Sequence, residues 1–397
     1  MKDIVIIANF CRDFSETDNG RFMYLCKELS KHHKVEIITS DFSHGSKKPK
    51  EPLVHHWPFT ITFLHETGYK KNISIQRFAS HRVWGNEVKK YLEKREKPDV
   101  IYCAVPSLMG PLVAAKYCEK NNVKFIIDIQ DLWPEAFKMV LNMPVISDLI
   151  FAPFNWLANA IYKRADEVVA VSDTYVERAL SVNKKCTSGH TVYLGTKLET
   201  YDAGASGVPL HKKPEGEVWI GYCGSLAASY DIPTLVHATK KLYDKEMRNT
   251  RLIIMGDGAH RGQFETVVRE TGVNAIFTGR LPYDQMCAQL SECDIVVNPI
   301  KKGSAASIIN KHGDYAASGL PVVNSQDSQE YRDLVEQYQM GLNCNNEDAN
   351  DMAEKLEKLI LDEALRGEMG KNARRCAEER FDRKNSYCEI IDCILSE

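Results

Sequence analysis

Short, unbroken apolar runs alternate with helix-like segments along this chain of 397 residues, and no other feature constrains its fold as much. In the first half, the runs predict strands at Ile4–Ala8, Val35–Thr39, Asp99–Ala104, Phe125–Ile129, Val168–Val171 and Val192–Leu194. In the second half, they predict strands at Trp219–Gly224, Arg251–Met255, Ala275–Thr278, Ile295–Asn298 and Pro321–Asn324. Unbroken apolar strands separated by helices are typical of parallel sheets that are covered by helices on both faces.

A stretch that holds several glycines and prolines separates the two series. Residues 202–217 contain three glycines and two prolines, which indicates a linker. The sequence therefore predicts an α/β protein with two doubly wound Rossmann-like domains facing an interdomain cleft. The cleft is the expected ligand site, because such sheets bind ligands at the carboxyl ends of their strands. We expect an N-terminal domain over 1–205, a C-terminal domain over 206–380 and a last helical segment over 381–397. Residues 41–80 break the alternation and predict an inserted loop or hairpin.

The composition argues against several classes of protein. Lys and Arg number 51 against 54 Asp and Glu, a net charge of −3, so there is no overall signal for nucleic acid binding. The twelve cysteines include no Cys-x-x-Cys pair and no signal peptide precedes them, which is typical of a reduced, cytoplasmic protein. The longest apolar stretch, 145–162, is interrupted by Asp148 and Pro153 and is too short and polar to span a bilayer. We expect a protein that is soluble or bound peripherally to a membrane.

One stretch departs from the average charge. Residues 44–97 contain twelve Lys and Arg against five Asp and Glu. Aromatic residues are interleaved with them, namely Trp57, Phe59, Phe63, Tyr69 and Trp84. Cations mixed with aromatics suit an anionic membrane surface or a lipid-diphosphate acceptor. The alternative is a solvated basic face whose aromatics pack into the first domain.

Three glycine-containing turns follow predicted strands of the second half. They are Gly224-Ser225, Gly256-Asp257-Gly258 and Gly279-Arg280. Glycine after a strand allows the backbone to pass close to a ligand and to expose its amides, although an ordinary strand-to-helix turn would also use it. Neither Gly-x-Gly-x-x-Gly nor a Walker loop is present, so a dinucleotide site and a P-loop are not indicated.

The segment from 307 to 323 carries the strongest signal for chemistry. It predicts a helix that begins over Ser307–Asn310, where unpaired amides and the helix dipole favour an anion. Lys311 follows in the first turn, where a cation is unfavourable unless an anion compensates it. Asp314 lies on the same helical face, so an intrahelical Lys311–Asp314 pair capped by Ser307 is the structural alternative.

Taken together, these segments resemble retaining glycosyltransferases of family four with the GT-B fold, of the bacterial capsule and O-antigen type. The residues that carry the resemblance are Asp128–Glu135, Gly224–Leu226, Met255–Gly258, Phe277–Pro282, Ser307–Val323 and Phe381–Arg383. It implies transfer of a sugar from a nucleotide sugar, expected to be a UDP-linked amino sugar, to a lipid-diphosphate-linked saccharide acceptor in cell-surface polysaccharide synthesis. It also implies no metal and no cofactor beyond this co-substrate. The place of action would be the cytoplasmic face of the inner membrane, and the last helix would cross back to the first half.

The resemblance also assigns residues. Arg280 and Leu281 would lie near the nucleobase, and Asp314 would accept hydrogen bonds from the ribose. The diphosphate would meet a set of groups in the second half and, across the cleft, a loop of the first half: Gly224, Ser225, Ser307, Ile308, Asn310, Lys311, Gly20 and Arg21. Gly256 and Gly258 would also bind the donor. Asp131 would touch the sugar or the acceptor. Asp131 and Lys311 are the candidate catalytic residues.

Two departures from the family pattern keep other functions open. Ala306 and Asp314 stand where relatives carry a pair of glutamates, and Ser225 and Tyr230 stand where they carry Arg and Lys. The charge of a diphosphate would then fall to Lys311, Arg280, Arg21 and backbone amides. A non-catalytic partner of another transferase is one alternative. A nucleotide-sugar epimerase is another, although the paired carboxylates that it would need for acid–base chemistry are not evident.

Overall fold

A computed structural model describes residues 1–12, 14–15, 20–51, 55–72, 74–137, 144–304 and 308–396. The chain divides into two compact units. Unit 1 comprises Met1–Val192 with Tyr387–Glu397, and unit 2 comprises Tyr193–Ser386. Each unit contains one large parallel sheet with helices.

Unit 1 is built on a seven-stranded sheet with the order β5-β2-β1-β6-β7-β8-β9, in which every pair is parallel. The strands are β1 (Asp3–Ile7), β2 (Lys34–Ser40), β3 (Phe42–Ser43), β4 (Lys48–Pro49), β5 (Thr60–Leu64), β6 (Val100–Val105), β7 (Lys124–Ile129), β8 (Glu167–Ala170) and β9 (His190–Thr191), of which β3 and β4 form a separate antiparallel pair. Central strands such as β6 are buried along their whole length, which explains their unbroken apolar sequences.

The helices of unit 1 are α1 (Arg21–Leu29), α2 (Ile75–Lys94), α3 (Met109–Asn121), α4 (Pro144–Tyr162), α5 (Asp173–Leu180) and the C-terminal helix (Cys388–Leu395). The C-terminal helix buries Ile390 and Ile394 in the core of this unit. The Lys2 ammonium donates to the carbonyl of Leu395 (2.7 Å) and that of Lys124 to the carbonyl of Cys393 (2.9 Å). Cations at the carboxyl end of a helix are favoured by its dipole, so they help to fix the chain end here.

Unit 2 has a six-stranded parallel sheet with the order β12-β11-β10-β13-β14-β15. Its strands are β10 (Val218–Cys223), β11 (Thr250–Met255), β12 (Ala275–Gly279), β13 (Ile295–Asn298), β14 (Val322–Asn324) and β15 (Gly341–Asn343). Its helices are α6 (Leu198–Ala205), α7 (Ile232–Asp244), α8 (Arg261–Thr271), α9 (Tyr283–Leu290), α10 (Lys311–Ala317), α11 (Gln329–Tyr338), α12 (Ala349–Leu361), α13 (Glu363–Cys376) and α14 (Arg383–Ser386), with a π-helical turn at Ala377–Phe381.

The division of the chain differs from the expected boundaries. It lies after Val192 rather than after residue 205, because α6 buries Leu198 and Tyr201 in a core cluster of unit 2. Residues 381–386 also belong to unit 2, since the amide of Thr196 donates to the carbonyl of Phe381 (2.8 Å). The expected linker therefore begins inside a helix.

Two further elements differ from the sequence-based expectation. The strand expected at Val192–Leu194 is instead the short β9, which ends at Thr191. The stretch 41–80, expected to be a loop or hairpin, contains the β3–β4 hairpin but also the edge strand β5 and the start of α2. Within the described ranges, no helix is both long enough and apolar enough to cross a membrane.

Candidate functional site

Helix α10 holds the segment that the sequence marked as an anion site, but it begins later than expected. The helix starts at Lys311 rather than over Ser307–Asn310, and Asn310 precedes it without a side-chain cap. The amide of Ile309 donates to His312 Nδ1 (3.2 Å), so it is already used. Ile308 is buried and Asn310 is exposed. Ser307, like Ala305 and Ala306, lies outside the described residues.

Lys311 is a buried cation whose ammonium has no hydrogen-bond partner among the described residues. Its side chain reaches into an aromatic enclosure, with Nζ 4.3 Å from the ring centroid of Tyr222 and 4.1 Å from that of Tyr230. The residue is 8% exposed, and burial lowers the pKa of the ammonium from 10.5 to about 7. Cation–π attraction offsets only part of this desolvation. An anionic ligand would offset the rest.

The alternative in which Lys311 pairs with Asp314 is not what the described structure shows. Asp314 Oδ1 instead accepts a hydrogen bond from the hydroxyl of Tyr283 (2.8 Å), and that hydroxyl also lies 2.8 Å from the hydroxyl oxygen of Thr196. Burial raises the pKa of Asp314. One oxygen of the carboxylate that was expected to bind the ribose is thus already bonded to the Tyr283 hydroxyl.

Gly224 makes room for the lysine. A Cβ placed on Gly224 would lie 3.1 Å from Lys311 Nζ and 3.0 Å from the Tyr222 hydroxyl oxygen, and its φ of +148° is unfavourable for other residues. Ser225 is exposed, and its carbonyl accepts a hydrogen bond from the Tyr222 hydroxyl (2.7 Å). The turn after β10 therefore positions one wall of the lysine enclosure.

The glycines at this sheet edge serve packing between loops. A Cβ on Gly256 would lie 1.8 Å from the carbonyl oxygen of Gly224, and one on Gly258 would lie 2.4 Å from that of Leu226. The amides of Gly224 and Gly256 donate to the carbonyls of Met255 and Gly279 (2.9 Å each), and that of Gly258 donates to Asp257 Oδ1 (2.8 Å). The expectation that these three amides are exposed to a ligand is therefore wrong, because two neighbouring strand-end carbonyls and the Asp257 carboxylate accept from them.

The remaining expected donor residues of unit 2 lie at the end of β12. Arg280 is exposed and Leu281 is half-buried, directly after Gly279. The structure thus places Lys311 and Gly224 together and locates Arg280 and Leu281 just after the edge strand of the same sheet.

Arg21 has a structural role that the sequence did not reveal. Its guanidinium Nε lies 3.2 Å from Asp128 Oδ2, and Nη1 donates to the carbonyl of Val192 (3.0 Å). It also lies 5.0 Å from the ring centroid of Tyr387, at the start of the C-terminal helix. The expectation that Arg21 holds a diphosphate is therefore corrected, because its charge is already paired in the core. Gly20 is the residue before α1, and its carbonyl accepts the amide of Tyr24.

Asp131 lines a cavity of about 240 Å³ in unit 1. The cavity lies where β1, β6 and β7 end, and its lining residues are Phe10, Phe22, His44, Arg77, Ala104, Val105, Pro106, Gln130, Asp131 and Trp133. Asp131 Oδ2 accepts a hydrogen bond from Trp133 Nε1 (3.2 Å), and burial raises the pKa of the carboxyl. Carboxyl ends of parallel strands are where ligands bind in such sheets. Sequence reasoning named Asp131 as a candidate but did not name Arg77 or His44, whose only signal was their place in the basic stretch.

Comparison with known proteins adds family evidence for both parts of the chain. Residues 21–198 match the family model described as Glycosyltransferase Family 4, and residues 209–376 match that of Glycosyl transferases group 1. Among curated proteins, the sulfoquinovosyl transferase SQD2 of Arabidopsis thaliana is 29% identical over 154 residues, which are 38% of this chain and 29% of that protein. The match therefore spans less than a third of that relative's length.

Solved structures resemble the chain over nearly its whole length. Sucrose-phosphate synthase from Thermosynechococcus elongatus has a TM-score of 0.76 at 19% identity, with 99% of this chain and 98% of that chain covered. Anabaena HepE in complex with UDP has a TM-score of 0.70 at 13% identity (98% and 99% covered). WaaG, a glycosyltransferase involved in lipopolysaccharide biosynthesis, has a TM-score of 0.69 at 14% identity, with 99% of this chain and 100% of that chain covered. These likenesses show the GT-B fold, and the two family models show that each half of the chain resembles glycosyltransferases.

Proposed function

We propose that the protein transfers a sugar from a nucleotide-sugar donor to a saccharide acceptor. The observation that carries this proposal is Lys311, a buried ammonium without a hydrogen-bond partner among the described residues, beside the Gly224 turn. A buried charge is costly unless it meets an opposite charge, and a diphosphate would supply one through charge-assisted hydrogen bonds. Structures of the same fold that hold UDP support this choice of ligand class.

In the proposed reaction, the bond between the sugar carbon C1 and the diphosphate oxygen breaks, and a bond from C1 to the acceptor oxygen forms on the same face. The acceptor's proton passes to the leaving diphosphate oxygen, so no protein nucleophile is required. Lys311 would stabilise the negative charge that develops on the diphosphate, and Asp131 would orient the sugar or the acceptor. Both contributions are positioning and electrostatic stabilisation.

We infer that the donor is a UDP-linked amino sugar and that the acceptor is a saccharide on a lipid diphosphate, in capsule or O-antigen synthesis at the inner face of the membrane. The small residues at positions 303–306 leave room in the sequence for a bulky group such as an N-acetyl. Exposed apolar side chains support contact with a membrane, since Trp156 on α4 is 65% exposed and Ile75 at the start of α2 is 88% exposed. Lys70 and Lys71 are exposed close to Ile75 in the sequence and would favour an anionic surface.

The first test is thermal unfolding with UDP, GDP and dTDP and their sugars. A ligand present at 100 times its Kd stabilises a protein by about 2.7 kcal/mol, so one nucleotide class should raise the Tm clearly. The second test is release of UDP from the donor that binds, with and without saccharide acceptors. Acceptor-dependent release is the expected result. Binding without release under any acceptor would favour the non-catalytic partner, and an altered sugar without release would favour the epimerase.

Donor binding should take up a proton and weaken as the pH rises above 7. Burial lowers the pKa of Lys311 to about 7 in the free protein, and an adjacent diphosphate would raise it again. Affinity should then fall by roughly tenfold per pH unit above pH 7.5, because the lysine must first be protonated. Burial raises the pKa values of Tyr222, Tyr230 and Cys223, so the groups facing the ammonium stay neutral over this range.

Isothermal titration calorimetry in buffers of different ionisation enthalpy measures this proton uptake. Lys311→Arg is the matched variant, since an arginine stays charged at every pH used. Its affinity should vary much less with pH between 7 and 9. An equal pH dependence in both proteins would assign the titration to another group.

A further inference from the structure

The cavity of unit 1 contains a second buried cation. Arg77 is the third residue of α2 and is only 6% exposed. Its guanidinium lies over the ring of Trp133 (4.4 Å from the centroid) and near the rings of Tyr69 (5.4 Å) and Phe10 (5.6 Å). The charge is therefore held against an aromatic wall rather than in solvent.

The hydrogen bonding of Arg77 is incomplete. Nη1 donates to the carbonyl of Asn72 (2.8 Å), whereas the buried Nε has no hydrogen-bond partner in the described part of the chain. No carboxylate of the described residues lies within ion-pair distance of it. The two carboxylates that influence its charge are occupied elsewhere. Glu66 accepts hydrogen bonds from Asn9 (3.0 Å) and Ser80 (2.9 Å), and Asp131 accepts one from Trp133.

Among the basic residues of the described chain near the aromatic rings of this cavity, the two histidines carry no charge at pH 7. Burial lowers the pKa of His44 to about 4 and that of His81 to about 3, so both imidazoles are neutral at pH 7. The half-buried Lys47 lies 4.8 Å from the centroid of Tyr69, and its ammonium donates to Asn72 Oδ1 (2.6 Å). Arg77 is thus the deeply buried cation of the cavity, and a guanidinium stays protonated even where burial disfavours it. Such a charge costs stability unless a ligand anion meets it.

We propose that this cavity binds an acceptor that carries a phosphate or carboxylate group, and that Arg77 is the residue that selects for this anion. The proposal rests on the sugar transfer proposed above, in which an acceptor must be held on the N-terminal unit. The planar guanidinium can bind two oxygens of such a group at once. The cavity of about 240 Å³ is smaller than the range of roughly 300–1,000 Å³ usual for drug-sized ligands, which suits one sugar unit.

The test compares three monosaccharides that differ in charge: glucose, glucuronate and glucose 6-phosphate. Their binding is measured by calorimetry or ligand-detected NMR on the full chain and on Arg77→Met. The matched control is Arg82→Met, which removes a positive charge from an exposed position of the same helix. We expect at least one of the two anions to bind at least tenfold more tightly than glucose, and Arg77→Met but not Arg82→Met to remove this preference.

The outcomes distinguish a phosphate from a carboxylate ligand, and a failure of this proposal from a failure of the proposed sugar transfer. A preference for glucose 6-phosphate alone indicates a phosphate group, and one for glucuronate alone a carboxylate. Equal binding of glucose and both anions, or a preference that persists in Arg77→Met, would overturn the proposal. Arg77→Lys should retain part of the preference, and unchanged near- and far-ultraviolet circular dichroism spectra show that the variants fold. An anion preference without any nucleotide response would instead contradict the proposed donor chemistry while leaving this site intact.

Discussion

Replacing Lys311 with methionine is expected to abolish donor binding and, at the same time, to make the protein more stable. Methionine keeps the length and apolar stem of the side chain, so the Tyr222 and Tyr230 rings keep a packing partner. The substitution removes a buried charge that has no hydrogen-bond partner among the described residues. We expect a gain on the order of 2 kcal/mol in the free energy of unfolding at pH 7. Residues that serve a ligand often cost stability in this way.

The stability gain should depend on pH in a defined direction. Because the pKa of Lys311 falls from 10.5 to about 7 on folding, the unfolded chain binds more protons between these values. The free energy of unfolding of the unsubstituted protein therefore rises with pH across this window. The advantage of Lys311→Met should be greatest at or below pH 7 and shrink as the pH approaches 10.

Calorimetric unfolding with and without UDP measures both effects. Lys302→Met is the matched control, because Lys302 is exposed and nearby in the sequence. The control should keep the UDP response and change the Tm little. Affinity for UDP should fall by 100-fold or more in Lys311→Met if the ammonium meets the diphosphate directly. A Lys311→Met protein that is less stable, or that binds UDP normally, would contradict this account.

Sequence analysis predicted the strands correctly where they are buried on both faces of the sheet. The apolar runs at β1, β6 and β10 admit few other structures, so their positions were predicted within a residue or two. The edge strand β5 was missed because it is only half-buried and lies in a stretch with many charged residues. The division of the chain at Val192 depends on which core receives α6, and packing across distant segments is not visible in local sequence.

The candidate site, too, was predicted only where local sequence decides the structure. The sequence marked Lys311 because a cation in the first helical turn is unusual, and the structure shows how it is enclosed. Its enclosing ring Tyr222 and the turn at Gly224 come from a distant strand, so only the folded chain shows that the ammonium has no hydrogen-bond partner in the part that the structure describes. The family resemblance also assigned Arg21 to the diphosphate, but Asp128 on β7 already pairs with it. The direction in which a long side chain points, and the group that it pairs with, depend on the tertiary fold and cannot be predicted from the local sequence.

Removing the buried Arg21–Asp128 ion pair is expected to have the second large effect, a loss of stability. Arg21, 4% exposed, links α1 to β7 through Asp128, to the carbonyl of Val192 and to the ring of Tyr387. Removing one partner of a buried ion pair leaves an uncompensated charge, which typically costs about 3–5 kcal/mol. Arg21→Met should therefore destabilise unit 1 by about that amount, because Asp128 would remain buried without its partner.

Urea unfolding of Arg21→Met, Asp128→Asn and the double variant isolates the pair. The double variant should lose less than the sum of the two single losses, because no unpaired charge remains in it. Arg164→Met is the matched control, since its ion pair with Glu119 is partly exposed and should contribute about 1 kcal/mol or less. If Arg21 instead held the donor diphosphate, its loss would weaken UDP binding at temperatures where the variant is fully folded. We expect UDP affinity there to stay within about twofold of the unsubstituted protein, because the guanidinium is committed to the core of unit 1.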